Sequence, residues 1–454
     1  MMKPRSDTPM ASRRSLFAAA GGLMAAAGTG FVAPARAARH PGNVPAPMPL
    51  PAPLPATEPF WGAHQGGIVT PMQSHTYFAA FDLITDQRHA VIDLLRTWTT
   101  AAARLTAGQP LAQTASQPTQ PPLGQMVGPA PGDMATPADV PPEPPPTDSE
   151  IAAGLPPSRL TITFGFGAGL FQKDGRDRYG LAASRPAALI DLPRFNGDQL
   201  VSEKSGGDLS IQACADDPQV AFHAVRHLAH LAGNTAAVRW AQTGYCSRPA
   251  DGGTPRNLMG FKDGTQTPAD IDKVVWVGTE GPDWMRGGSY LVVRRIRMAL
   301  EHWDRTNVGF QEQTMGRHKR SGAPIGLKTE FEPLGLDRSD SDGNPVIANN
   351  AHVRLANVAT TGAEILRRGY SYNDGVNFTA ERWPPWRQGM EYDAGLLFIC
   401  YQADPRTGFV RMFEPMAKLD MLNQFTTHTG SALFACPGGV RDGEFIGQAL
   451  FAST

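Results

Sequence analysis

One junction occurs twice in this chain: an apolar strand-like run, an acidic turn, a proline and a helix-forming stretch. It reads Leu209 to Cys214 followed by Ala215-Asp216-Asp217-Pro218 in the first half, and Leu396 to Tyr401 followed by Gln402-Ala403-Asp404-Pro405 in the second. Proline is tolerated in the first turn of a helix and disfavoured deeper, so each copy fixes where a strand ends and a helix starts. A chain that repeats this junction is constrained to an architecture of two similar units.

Hydrophobic periodicity extends the pattern on both sides of each junction. In the first half it predicts a strand from Thr76 to Ile84, a helix from Asp86 to Ala107, strands from Arg159 to Phe166 and Asp208 to Ala215, a helix from Pro218 to Ala232 and a strand from Ala237 to Tyr245. In the second half it predicts a strand from Ser289 to Met298, a helix from about Glu301, and strands near Arg368 to Tyr372 and Ala394 to Gln402. A helix from Phe409 to about Leu422 and a strand from Ser431 to Cys436 complete that half. Each half reads βαββαβ, the ferredoxin-like order in which helices cover one face of an antiparallel sheet. The expected fold class is α+β, with two ferredoxin-like units over residues 59–250 and 251–454 and a crevice between or beneath their sheets.

At 454 residues the chain exceeds one ordinary hydrophobic core, which agrees with two units plus non-globular segments. Lys and Arg number 41 against 42 Asp and Glu, a formal net charge of -1, so the overall balance gives no reason to expect nucleic acid or an anionic membrane surface as partner. Small-molecule chemistry is the expectation.

Two stretches are too proline-rich and too poor in apolar side chains to repay ordering: a tether over residues 38–58 and an insertion over 108–157 containing Pro141-Pro142-Glu143-Pro144-Pro145-Pro146. Residues 1–37 have a secretory pattern, with Arg13 and Arg14, an apolar run from Leu16 to about Ala27, and Ala35-Arg36-Ala37 as an A-x-A cleavage site. Ser12-Arg13-Arg14-Ser15-Leu16-Phe17 resembles a twin-arginine export signal, against the alternative of an ordinary secretory signal. The run is too short and glycine-rich for a permanent spanning helix, so the chain is not expected to be an integral membrane protein. A periplasmic or extracytoplasmic location follows. Cys214, Cys246, Cys400 and Cys436 form no zinc pattern and no C-x-x-C-H, and the sequence leaves any pairing among them open.

The chemistry concentrates around Gly260-Phe261-Lys262-Asp263-Gly264-Thr265, His352 and Arg367. They supply an acid/base carboxylate, an imidazole ligand and a fixed cation, the three protein groups a haem peroxidase needs. Each alone is weak: any aspartate turn can give G-x-x-D-G, and ten other histidines compete with His352. His223, His227 and His230 share a helical face at i, i+4 and i+7, which leaves open a separate metal site. Gly165-Phe166-Gly167-Ala168-Gly169 lacks dinucleotide spacing and is expected to be a flexible turn over the pocket.

Taken with Gly62-Ala63-His64-Gln65-Gly66-Gly67-Ile68, Asn257 to Pro268, Gly287 to Arg305, His352 to Asn357, Ile365 to Tyr372 and Asp393 to Gln402, the chain resembles the dye-decolourising peroxidase family. Within it, the likeness is greatest to the exported peroxidase component of bacterial ferrous-iron uptake systems. The resemblance covers roughly residues 59–440, interrupted by the insertion, and implies haem b in a pocket mainly in the C-terminal half. It assigns His352 as axial iron ligand, Asp263 as distal acid/base and Arg367, rather than its neighbour Arg368, as distal arginine. Gly264 and Thr265, beside Asp263, are expected at the cofactor. Asp393 is the expected partner for the far ring nitrogen of His352, with a plain turn aspartate as the alternative. Arg295, in the alternating Arg294-Arg295-Ile296-Arg297, either meets haem propionates or lies on a solvated strand face. Phe398 either lines the distal side or packs in the core. The chain departs from the family's asparagine-proline after the ligand histidine, having Asn357-Val358.

The implied activity is oxidation by hydrogen peroxide of dyes, phenols or similar small reductants, with ferrous iron as a further candidate. An aspartate base, with a reference pKa of about 3.9 against about 6.5 for histidine, predicts an acidic optimum. Two alternatives stay open: a haem-handling protein of an iron-uptake system that releases iron from haem, and a secreted binding module with no cofactor. Ferredoxin-like sheets often pair, so a homodimer is an expected assembly.

Overall fold

The computed structural model describes residues 56–111, 148–380 and 388–452. The expected signal peptide, nearly all of the tether and most of the insertion lie outside the described residues. Within those, nine strands form antiparallel pairs: β1 His75–Leu83, β2 Thr161–Phe166, β3 Leu209–Ala215, β4 Ala236–Tyr245, β5 Ser289–Met298, β6 Leu366–Arg367, β7 Tyr370–Ala380, β8 Gln388–Gln402 and β9 Thr426–Cys436. The first half orders its strands β2-β3-β1-β4, and the second β9-β5-β8-β7, with β6 also against β8. Single bridges, Phe166 to Ala435 and Tyr245 to Ser371, join the two sheets at both edges and close them into a ring.

Strand periodicity decides what fills the ring. Every second side chain points inward, so Phe78 and Ala80 of β1, Cys214 of β3, Leu291 and Val293 of β5, Leu397, Ile399 and Tyr401 of β8, and Phe434 and Cys436 of β9 form one buried cluster. The Phe78 ring lies 4.9 Å from Trp240 and 6.0 Å from Phe434. Of the two expected places for a crevice, between or beneath the sheets, the first is filled by these aromatic side chains. All four cysteines are free.

Four helices matter here: α1 Arg88–Thr106, α2 Pro218–Ala232, α3 His352–Leu355 and α4 Arg411–Leu419. On α1, Val91, Leu94, Leu95, Trp98, Ala102 and Leu105 recur at three- and four-residue spacing and are buried beside the first sheet. Trp98 Nε1 donates to the Leu228 carbonyl on α2 at 2.7 Å; truncating Trp98 to Ala would cost roughly 3–5 kcal/mol. Asp217 caps α2 by accepting from the Gln219 and Val220 amides, with Pro218 in the first turn, as the repeated junction implies.

The helix expected from about Glu301 is instead one turn, Leu300–Trp303, and a separate helix, Val308–Met315, because Asn307 starts a new cap by accepting from the Phe310 amide. Gly165 and Phe166 lie inside β2 rather than in a turn over the pocket. Gly167 packs so closely that a Cβ there would sit 2.0 Å from the Gly207 carbonyl oxygen.

Candidate active site

Opposite the packed interior, on the outer face of the second sheet, lies a cavity of about 360 Å³. Arg294, Ile296 and Met298 of β5, Leu396 and Phe398 of β8, and Thr426 and His428 of β9 form its floor. Residues 257–269, α3 and α4 supply the walls. This size and mixed apolar lining suit a small molecule or cofactor.

His352 is the first residue of α3, and its half-buried ring borders the cavity. Nδ1 lies 2.7 Å from Oδ2 of Asp420, whose other oxygen accepts from the Leu422 amide. A carboxylate acceptor puts the ring proton on Nδ1 and leaves the Nε2 lone pair for a ligand. Burial disfavours the charged ring, but Asp420 outweighs it, so the proton affinity of His352 is raised above the ordinary histidine value.

Asp393 is not the partner of His352, which corrects the expectation from sequence. It meets Arg295 Nη2 at 2.8 Å on the opposite face of the sheet. Arg295 is likewise turned away from the cavity: it stacks on Tyr372 at 4.2 Å and bonds Gln242 and Asp374. The alternation of β5 explains this, since facing residue 294 to the cavity turns residue 295 inward. Arg294 is the cavity residue, paired with Asp198 and donating from Nε to His428 Nδ1 at 3.1 Å.

Arg367 and Asp263 meet at the cavity, with Nη2 to Oδ1 at 3.0 Å. The next residue, Arg368, points the other way into buried bonds with Gln73 and the Thr70 carbonyl, so β-strand geometry separates the two arginines. Asp263, Arg367 and His352 all line the same cavity.

The loop presenting Asp263 is shaped by its glycines. Gly260 and Gly264 have φ of 83° and 111°, conformations a side chain resists, which accounts for glycine at both ends of G-x-x-D-G. Asn257 Oδ1 accepts from the Met259 and Phe261 amides, and the Asp263 amide donates to the Pro255 carbonyl at 2.8 Å. Buried Glu330 accepts from Thr265 Oγ1 at 3.0 Å and pairs with Lys262, clamping both flanks of Asp263. Gly264, Thr265 and Phe398 all line the cavity. Asn357 caps the turn after α3 by accepting from the Ala359 amide, and Val358 takes the first helical position, where proline also fits.

Sequence reasoning missed Asp420, Arg294, Glu330 and His428. Strand parity put Arg294 and Arg295 on opposite faces without saying which face meets the cavity. Asp420 carried one signal, an acidic residue closing an amphipathic helix.

Of the three histidines on α2, His223 and His227 converge with Asp148, whereas His230 is exposed. Among the described residues no helix is long and apolar enough to cross a membrane.

Two family models match the chain: Dyp-type peroxidase, N-terminal, over residues 65–246, and Dyp-type peroxidase, C-terminal, over residues 254–441. The chain is 37% identical over 410 residues to a protein of Thermobifida fusca named dye-decolorizing peroxidase, covering 86% of this chain and 84% of that one. It is 35% identical over 409 residues to a protein of Escherichia coli K12 named deferrochelatase, covering 87% of each. Ferric DtpA from Streptomyces lividans superposes with a TM-score of 0.74 at 39% identity, covering 87% of this chain and 97% of that one.

Proposed function

The chain belongs to the Dyp-type peroxidase family, and on that premise we propose that His352, Asp263 and Arg367 are the working residues of a haem-dependent peroxidase. The cofactor is haem. One observation carries the assignment of residues: an imidazole whose Nδ1 is committed to Asp420 borders the same cavity as the Asp263–Arg367 pair.

The residues present fit the group. His352 Nε2 would hold the haem iron, and Asp420 would increase its electron donation. Leu396, Phe398, Phe409, Met412 and Met416 would offer apolar contact to the macrocycle, and Gly264 and Thr265 line the same cavity. Arg294, rather than Arg295, is the strand cation that faces it. Haem supplies the redox iron that receives the oxidising equivalents of hydrogen peroxide. Asp263, as carboxylate, accepts the proton of one peroxide oxygen and returns it to the other, which leaves as water. Arg367, 3.0 Å from Asp263, stabilises the charge that develops as the oxygens part.

The strand orders of the two halves support two ferredoxin-like domains, 59–250 and 251–454, with the haem pocket in the second. Export by the twin-arginine route to the periplasm rests on residues 12–17. The test of the active-site reading is the absorbance spectrum of the purified protein before and after peroxide. Wild type is expected to show a Soret band that peroxide shifts, His352→Ala to lose or grossly alter it, and Asp263→Asn to keep it while responding slowly. An unaltered spectrum in His352→Ala would overturn the assignment.

The likeness to the E. coli deferrochelatase favours a second reading, iron release from haem within an iron-uptake system. Appearance of metal-free porphyrin with the ring intact would support it, and peroxide-dependent dye turnover supports the first.

A further inference from the structure

Distant from the cavity, two imidazoles and a carboxylate converge where α2 meets the residues flanking the 112–147 segment. His223 and His227 stand one turn apart on the same helix face, 7% and 4% exposed. His223 Nε2 lies 2.8 Å and His227 Nε2 3.5 Å from the same Oδ1 of Asp148, and the three atoms lie within 4.8 Å of one another. Oδ2 of Asp148 accepts from the Leu111 amide at 3.1 Å, so Asp148 ties together the two described ends of that segment. Ser149 places its hydroxyl 2.8 Å and its amide 3.1 Å from His227 Nε2. None of Asp148, Ser149, His223 or His227 lines the cavity.

We propose that Asp148, His223 and His227 form a binding site for one divalent cation of the Zn²⁺ type, which fastens Leu111 and Asp148 to α2. Two imidazole nitrogens and one carboxylate oxygen are the donor set of borderline cations. Ca²⁺ and Mg²⁺ would call for an all-oxygen shell instead. Three protein donors leave a fourth position for water or Ser149 Oγ. The helix fixes the two imidazoles, so Asp148 must adjust to reach tetrahedral separations and the Ser149 amide must withdraw from His227 Nε2 to free its lone pair. The cation takes the place of the proton between His223 Nε2 and Asp148 Oδ1, the ring proton moving to Nδ1, and because protons compete with the metal for the same donor atoms, binding weakens in acid. The burial of both imidazoles disfavours casual exchange.

The experiment uses the full haem-loaded chain, stripped with a chelator and titrated with Co²⁺. Wild type is expected to take up one equivalent with the visible d–d absorption of a four-coordinate nitrogen and oxygen site, and Zn²⁺ should abolish that absorption by displacement. His230→Gln, altered on the same helix outside the cluster, should bind as wild type does, whereas His227→Gln and Asp148→Asn should lose the equivalent while their Soret bands stay unchanged. Co²⁺ absorption that survives in His227→Gln, or is absent in wild type, overturns the proposal. Should the two variants fail to fold, wild type alone decides: its Tm must rise with Zn²⁺ and saturate at one equivalent, and a Tm indifferent to Zn²⁺ overturns the proposal.

Discussion

The Nδ1 atom of His352 lies 2.7 Å from Oδ2 of Asp420, a residue 68 positions further along the chain at the end of α4. Asp420 is itself fixed, its second oxygen accepting from the Leu422 amide and its side chain only 3% exposed. This carboxylate therefore sets the ring's tautomer and orientation. Asp420→Asn is expected to raise the reduction potential of the haem iron and lower peroxidase turnover roughly 10- to 100-fold, the usual penalty for losing a group that supports a metal ligand. Asp393→Asn should leave the potential where it is, because Asp393 serves Arg295. Spectroelectrochemical titration of the two variants decides between them, and a shift in Asp393→Asn alone would reverse the assignment.

Arg367 and Arg368 are chemically identical neighbours with different duties. Removing Arg367 takes the cation 3.0 Å from Asp263, and Arg367→Leu should cut turnover by about 10²–10³ while unfolding at the wild-type denaturant midpoint. Arg368 is buried against Gln73 and the Thr70 carbonyl, so Arg368→Leu strands those acceptors and should cost roughly 3 kcal/mol of stability. Denaturant unfolding beside steady-state dye oxidation separates the pair.

The sequence made legible what local chemistry dictates. Pro218 and Asp217 announce the start of α2, the glycines around Asp263 announce a positive-φ loop, and apolar alternation locates β5, β8 and β9. What it hid depends on contacts between distant segments. Asp420 and Asp393 are the same residue type, and only the placement of α4 beside α3 selects the first. The Arg295 assignment failed because facing position 294 toward the cavity requires knowing which face of β5 is inside the ring. Glu330 lies in a stretch with no periodicity, so nothing local linked it to Lys262 and Thr265.

Glu330 offers a test of loop positioning. It does not line the cavity, yet it clamps both neighbours of Asp263 and its carboxyl is held below the usual range: burial works against the charge, and hydrogen bonds from Lys262, Thr254 and Thr265 more than compensate. Glu330→Ala should loosen the loop and reduce kcat roughly 10- to 100-fold through misplacement of Asp263. Haem content should be retained. Glu330→Gln, which keeps the bond to Thr265, should recover part of the rate, and stopped-flow mixing with peroxide gives the comparison.

His428 ties stability to pH. Its ring is buried beside Arg294, and burial first, then the adjacent guanidinium, pulls its pKa down to about 3. The native protein therefore refuses a proton that the unfolded chain binds near pH 6.5. The associated stability is fully present above that value and declines as the pH falls toward about 3, at about 1.4 kcal/mol per pH unit for one proton. His227, lowered to about 4 mainly by burial, acts with the same sign. Between pH 6.5 and 5, before most carboxylates titrate, His428 alone should account for a loss of about 2 kcal/mol. His428→Asn should flatten the pH slope of the unfolding free energy by one proton's worth across that window, whatever its effect on absolute stability. Denaturant titrations of both proteins at matched pH values measure this, and parallel slopes would mean that His428 takes up its proton in the folded state.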